Sequence, residues 1–178
     1  MHSSITCGRC LVDPPPYEQC IVPFHYAYPI TSLVKAAKFG GQFMLAFQLG
    51  RLLAATLEYR LGVLPECLIP IPLHRNRLTE RGFNQSLELA RPIARRFKLP
   101  INFTDCVRIR HTAPQARLSG LERQLNVRFA FAVQRELRYR HVALVDDVVT
   151  TGHTAAELCS QLIKAGVARV DVWALARA

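Results

Sequence analysis

Four apolar residues run directly into two adjacent acids and then a hydroxyl-rich turn in VALVDDVVTTGHT, from Val142 to Thr154. The unbroken run Val142 to Val145 suits a strand covered on both faces. Such a strand delivers Asp146 and Asp147 to its C-terminal end, where ligands of open α/β sheets sit. From Thr154 to Ala165 the spacing turns helical, with Ala155, Leu158 and Leu162 inward and Gly166 as the stop. A helix start offers unpaired N–H groups and a partial positive charge, which suit a phosphate monoester.

In that turn Gly152 removes a Cβ from the path of the phosphate. Thr150, Thr151 and Thr154 add hydroxyl donors, and His153 adds its backbone. Like charges repel, so Asp146 and Asp147 suit sugar hydroxyls, as acceptors, or Mg²⁺ held by the substrate. An anion cradle beside sugar-hydroxyl acceptors is a ribose phosphate site. Two acids after a strand also occur in receiver-type and dehalogenase-type pockets, but without such a turn directly behind them. No Walker loop and no G-x-G-x-x-G is present.

Elsewhere, residues 1–30 read as an irregular leader containing Pro14, Pro15 and Pro16, and residues 31–178 as the main domain. Ser32 to Arg60 is helical, broken at Gly40 and Gly41. Leu68 to Ile71 is a strand, and a long loop runs from Leu73 to Gln85. A helix follows from Ser86, burying Leu87, Ala90, Ala94 and Phe97 and containing Pro92. Ile101 to Ile109 reads as one strand, Phe129, Phe131 and Val133 alternate as another, and Val170 to Ala176 closes the chain. Between these lie a polar stretch, Arg110 to Arg117, and a capping box, Ser119 to Glu122, that starts a short helix toward Asn126. Strands alternating with helices indicate an α/β fold with a mainly parallel sheet.

The net charge of +10 is unevenly placed: residues 75–140 carry fifteen Lys/Arg against five Asp/Glu, while the flanking stretches nearly balance. This suits a polyphosphate substrate or nucleic acid, or else a solvated basic surface. No apolar run reaches the ~18 residues that span a bilayer, and no export signal is visible, so the cytoplasm is expected without membrane insertion. The six cysteines are then reduced, and only Cys7 and Cys10 have metal-ligand spacing.

The Val142–Thr154 segment resembles the signature of type I phosphoribosyltransferases. More narrowly, the chain resembles the ComF/GntX family of competence-type proteins over nearly its full length. The resemblance rests also on Cys7 to Cys10 with the following prolines, on Pro72-Leu73 through Arg77 to RGFNQ (Arg81–Gln85), and on Arg108, Arg110, Thr112, Gln115, Arg123 and Asn126.

It implies a type I phosphoribosyltransferase fold that binds Mg²⁺ and phosphoribosyl pyrophosphate and transfers phosphoribosyl to an unspecified acceptor. Arg77, Arg81 and Gly82 would then hold the pyrophosphate. Arg110, Gln115 and Arg123 would belong to a hood that excludes water from the sugar cation. Asn126 would be a cap or a catalytic group. Cys7 and Cys10 would be the last pair of a longer zinc-binding leader, so a native start upstream of Met1 is expected. Cys20, His2 and His25 complete no familiar zinc pattern. The family also implies a rival role as a non-catalytic adaptor in DNA uptake, facing single-stranded DNA or a helicase.

Overall fold

The computed structural model describes residues 8–39, 42–110 and 128–178. In chain order these form α1 (Gly8–Val12), β1 (Gln19–Ile21), β2 (Phe24–His25), α2 (Ile30–Phe39), α3 (Phe43–Glu58), β3 (Cys67–Pro70), α4 (Arg75–Arg81) and α5 (Gln85–Phe97). There follow β4 (Cys106–Arg108), β5 (Phe131–Val133), β6 (His141–Val149), α6 (His153–Lys164) and β7 (Arg169–Arg177).

The main sheet has the order β1-β7-β6-β3, with β2 extending the β1 edge on β7, and every pairing in it is parallel. Val145 of β6 lies opposite Pro70 on one side and Trp173 on the other. Alternation along the strands divides the core in two. Val142 and Leu144, with Val170, Val172 and Ala174, face α6 and the β4–β5 ribbon. Ala143 and Val145, with Leu68, Trp173 and Leu175, face α2, α3 and α5. Both faces are dry, which is why β6 lacks a polar–apolar alternation; each fully buried Leu or Ile contributes roughly 1.5–3 kcal/mol. The α/β class and the parallel sheet read from the sequence are those of the structure.

Gly50 lets α3 approach α5 closely. A Cβ there would come within 2.5 Å of the Leu89 carbonyl oxygen and 2.6 Å of Pro92 Cγ. Pro92 does sit inside α5.

Four local expectations are corrected. The stretch 1–30 is not irregular throughout: β1 adds to the sheet edge because its backbone finds ladder partners on β7, a long-range pairing with no sequence signature. The Leu73–Gln85 loop contains α4, started by His74 Nδ1 accepting from Asn76 N at 3.3 Å and ended by Gly82 at φ 77°. Ile101–Ile109 is not one strand; Ile101 makes an isolated bridge to Leu68, and Cys106–Arg108 pairs antiparallel with β5 outside the main sheet. On α5 the buried apolar face is Leu89, Ala90, Ile93 and Ala94, with Leu87 and Phe97 half-buried. The capping box at Ser119–Glu122 lies outside the described residues.

Candidate functional site

β6 continues past its apolar half, so Asp146 and Asp147 are themselves strand residues at the C-terminal end of the sheet. Asp146 pairs with Ala174 across the ladder. Its Oδ1 accepts the Asp147 backbone N–H at 2.8 Å and the Ser86 hydroxyl at 3.2 Å. Ser86 is held by the start of α5, where Asn84 Oδ1 accepts from Ser86 N at 3.0 Å and Asn84 Nδ2 donates to the Ile71 carbonyl at 3.1 Å. The end of β3 and the start of α5 are thereby tied to the acids.

Asp147 turns to the other side, where Lys38 Nζ from the last turn of α2 lies 2.6 Å from its Oδ2. Burial pushes the Asp146 carboxyl up to about 7, and the neighbouring Asp147 charge adds to this; Lys38, the Asp147 amide and Ser86 pull the other way.

After β6 the chain turns through Thr150 and Thr151 to Gly152, whose φ of 81° an L side chain adopts only with strain. α6 begins at His153, and its first turn closes with Ala156 N donating to the Gly152 carbonyl at 2.9 Å. Thr150, Thr151, Gly152, His153 and Thr154 are all half-buried, at the rim rather than in the core. Behind the turn stands Tyr17, whose hydroxyl would lie 3.1 Å from a Cβ on Gly152. Burial, followed by the nearby Cys20, pushes that phenol up to about 12, so it stays a neutral hydroxyl.

The basic side of the site comes from two elements. Arg77 and Arg81 lie one helical turn apart on α4, and Gly82 ends that helix in the left-handed region. Arg81 Nη1 donates to Gln85 Oε1 at 2.9 Å. The third cation is Arg108 of β4, 5.4 Å from the Phe131 ring centroid. Burial lowers the pKa of Arg81 and of Arg108, and the charge of Arg77 lowers both further; Asp147 opposes this at Arg81, Asp146 at Arg108. The three guanidinium groups and the two carboxylates therefore share one electrostatic neighbourhood.

Arg110 follows β4, and its Nη1 donates to the Arg128 carbonyl at 2.9 Å, joining the two ends of segment 111–127. Gln115 and Arg123, with Thr112 and Asn126, lie outside the described residues, as does Cys7. Cys10 is half-buried, and among the described residues no three His, Cys, Asp or Glu side chains cluster as metal ligands. Trp173 is core, fully buried with Phe97 at 6.5 Å.

Lys38 and Ser86 carry no functional signal of their own in the sequence. A lysine ending an amphipathic helix reads as a solvated charge, and only the packing of α2 and α5 beside β6 brings these residues to the acids. Paired carboxylates are donors that suit a hard cation, since Mg²⁺ takes one or two carboxylates and prefers oxygen.

No helix among the described residues is long and apolar enough to cross a membrane, and no protein-family model matches the chain. Among solved structures it is similar to glutamine phosphoribosylpyrophosphate (PRPP) amidotransferase from B. subtilis complexed with ADP and GMP. The TM-score is 0.46 at 20% identity, covering 71% of this chain and a smaller part, 25%, of that one. Curated relatives match more fully. DNA utilization protein YhgH is 37% identical in Escherichia coli (strain K12) and 38% in Shigella flexneri, over 180 residues, covering 99% of this chain and 79% of each relative. Competence protein F of Haemophilus influenzae is 39% identical over 181 residues, covering 97% of this chain and 78% of the relative. The chain belongs to the ComF family, together with these DNA utilization and competence proteins.

Proposed function

We propose that this chain is a phosphoribosyltransferase-type protein that binds Mg²⁺-phosphoribosyl pyrophosphate and transfers the phosphoribosyl group to a nitrogen acceptor, in the cytoplasm and in the context of DNA uptake or use. One observation carries the reading: Asp146 and Asp147 end a central strand, and the next turn leads through Gly152 into the start of α6. The buried sheet end supplies acceptors for ribose hydroxyls, while the helix start supplies N–H groups for a 5′-phosphate.

In this reading the 5′-phosphate rests on residues Thr150 to Thr154, and Asp146 and Asp147 accept the ribose hydroxyls. Asp146 and Asp147 would also hold Mg²⁺, which neutralises part of the pyrophosphate charge. As the bond from the anomeric carbon to the pyrophosphate oxygen breaks, its electron pair leaves with the pyrophosphate. Arg77 and Arg81 meet that growing charge, and Gly82 leaves the backbone room to approach. The acceptor nitrogen bonds to the anomeric carbon, and its proton passes to the departing pyrophosphate. The two carboxylates face the positive charge that builds on the ribose. Arg110, Gln115 and Arg123 would close over it and exclude water. Zinc at Cys7 and Cys10 is a separate structural expectation, independent of this reaction.

The test is thermal unfolding with and without Mg²⁺ and phosphoribosyl pyrophosphate. A ligand at ~100 times its dissociation constant adds about 2.7 kcal/mol. Asp146→Asn with Asp147→Asn removes that gain; a double variant that retains the full shift rejects the assignment.

A second reading is a non-catalytic adaptor that faces single-stranded DNA or a helicase, favoured by the names of the relatives and by the basic middle third of the chain. A salt titration of DNA binding, with charge reversal at Arg77 and Arg81, tests this reading: phosphate-backbone binding weakens steeply with salt, and binding that is absent or insensitive to salt and to the reversal rejects it.

A further inference from the structure

The two acids are held in the same way from two different helices. Asp146 Oδ1 accepts both the Ser86 hydroxyl at 3.2 Å and the Asp147 amide at 2.8 Å. Asp147 Oδ2 faces the Lys38 ammonium at 2.6 Å. The second oxygen of each acid, Asp146 Oδ2 and Asp147 Oδ1, has no hydrogen-bond partner among the described residues. Both acids are half-buried rather than sealed, which leaves those oxygens to water or a ligand. The holders are themselves fixed. Ser86 is buried and follows Asn84, whose side chain caps α5 and reaches the Ile71 carbonyl. Lys38 ends α2, where the helix dipole favours a cation, and Val34 and Ala37 bury that helix in the core. A carboxylate is planar, so holding one oxygen in a fixed place aims the other.

We propose that Ser86 and Lys38 are positioning residues, each holding one oxygen of one acid so that its second oxygen meets one hydroxyl of a bound sugar. The inference rests on the function proposed above, in which Asp146 and Asp147 accept the ribose hydroxyls. It adds a division of labour. Ser86 acts through Asp146 on one hydroxyl, and Lys38 acts through Asp147 on the other. An acid free to rotate must be ordered as the sugar binds, and that ordering counts against affinity. Held in advance, it rejects a sugar that lacks the hydroxyl, because its oxygen is then left without a partner. The two holders differ in kind: a hydroxyl donates to Asp146, while an ammonium brings a full charge to Asp147.

Calorimetry tests it with ribose 5-phosphate and with its 2-deoxy and 3-deoxy analogues, each lacking one hydroxyl. In the wild-type chain each analogue is expected to bind at least ~10-fold more weakly than ribose 5-phosphate, the worth of a hydrogen bond to a charged group. Lys38→Met is expected to bring one of these two factors below ~3-fold and to spare the other. Ser86→Ala is expected to do the same to the opposite factor. Lys38→Arg keeps the charge and restores the factor that Lys38→Met loses. A merely structural role weakens all the ligands alike and leaves both factors standing. That result overturns the positioning and spares the proposed function. The division of labour also falls if both variants lower the same factor, or if either lowers both. A wild-type chain that binds ribose 5-phosphate yet tolerates loss of either hydroxyl rejects the role given to the acids, and the positioning with it. A wild-type chain that binds none of these ligands rejects the proposed function as a whole, this inference included.

Discussion

Lys38 Nζ lies 2.6 Å from Asp147 Oδ2, an ion pair that joins the last turn of α2 to the end of β6. Both side chains are largely shielded, at 22% and 14% exposed, so solvent screens the pair less than it would a surface bridge. Lys38→Met leaves two adjacent carboxylates without their compensating cation. The expected cost is about 1–3 kcal/mol, between the values for exposed and fully buried pairs, read as a lower urea midpoint. Lys38→Arg recovers most of it. An unchanged midpoint in Lys38→Met shows that the pair does not hold α2 to the sheet.

The raised Asp146 carboxyl predicts a pH dependence with a definite sign. Below about pH 4 the group is protonated in both folded and unfolded chains, since its ordinary value is 3.8. Between there and about 7 the folded state keeps a proton that the unfolded state has released. The stability contributed by Asp146 is therefore fully present at acid pH and is lost as pH rises through about 7. Asp146→Asn cannot ionise, so its stability relative to wild type rises across this window. Denaturation of both chains at pH 4 to 8 checks it, and a difference that falls with pH contradicts the cause given.

Gly50→Ala sets two effects against each other. In a helix interior alanine is favoured over glycine by about 1 kcal/mol. Here the added Cβ meets the Leu89 carbonyl oxygen at 2.5 Å, which is backbone and does not swing aside. Overpacking costs about 1–3 kcal/mol and more where backbone must move, so net destabilisation is expected. A higher melting temperature for the variant means α3 and α5 part without penalty.

Gly152→Ala combines left-handed strain of about 1–2 kcal/mol with a Cβ at 3.1 Å from the Tyr17 hydroxyl. Destabilisation of that order is expected, and the function proposed above predicts a loss of affinity for ribose 5-phosphate as well. Tyr17→Phe combined with Gly152→Ala recovers little stability, since backbone strain dominates the close contact. Full recovery in the double variant assigns the cost to the contact instead.

Asp171 is fully buried, accepting from Arg169 Nε at 3.2 Å and lying 2.9 Å from His141 Nε2. Asp171→Ala removes the partner of nearly buried His141 and of Arg169, whose side chain is 38% exposed, so the expected cost is about 1–3 kcal/mol, between exposed and fully buried pairs. Urea unfolding of the variant measures it, and a loss below about 1 kcal/mol, the range of exposed pairs, shows that His141 and Arg169 find solvent instead.

Local chemistry made the centre of this protein readable. Val142 to Val145, the acids and the turn through Gly152 act over neighbouring residues, so the strand, the helix start and α6 follow from order alone. The alternation of strands and helices likewise indicates the parallel sheet. Tertiary structure decided the rest. β1 is a strand only because β7 offers it a ladder, and α4 formed where prolines and polar residues read as loop. Lys38 and Ser86 reach the acids through the packing of α2 and α5 against the sheet. Dihedral preference, capping and hydrophobic period act within a few residues and leave a trace in the sequence. A charge pair or a shared cavity between distant segments leaves none, because its energy exists only after the layers have closed.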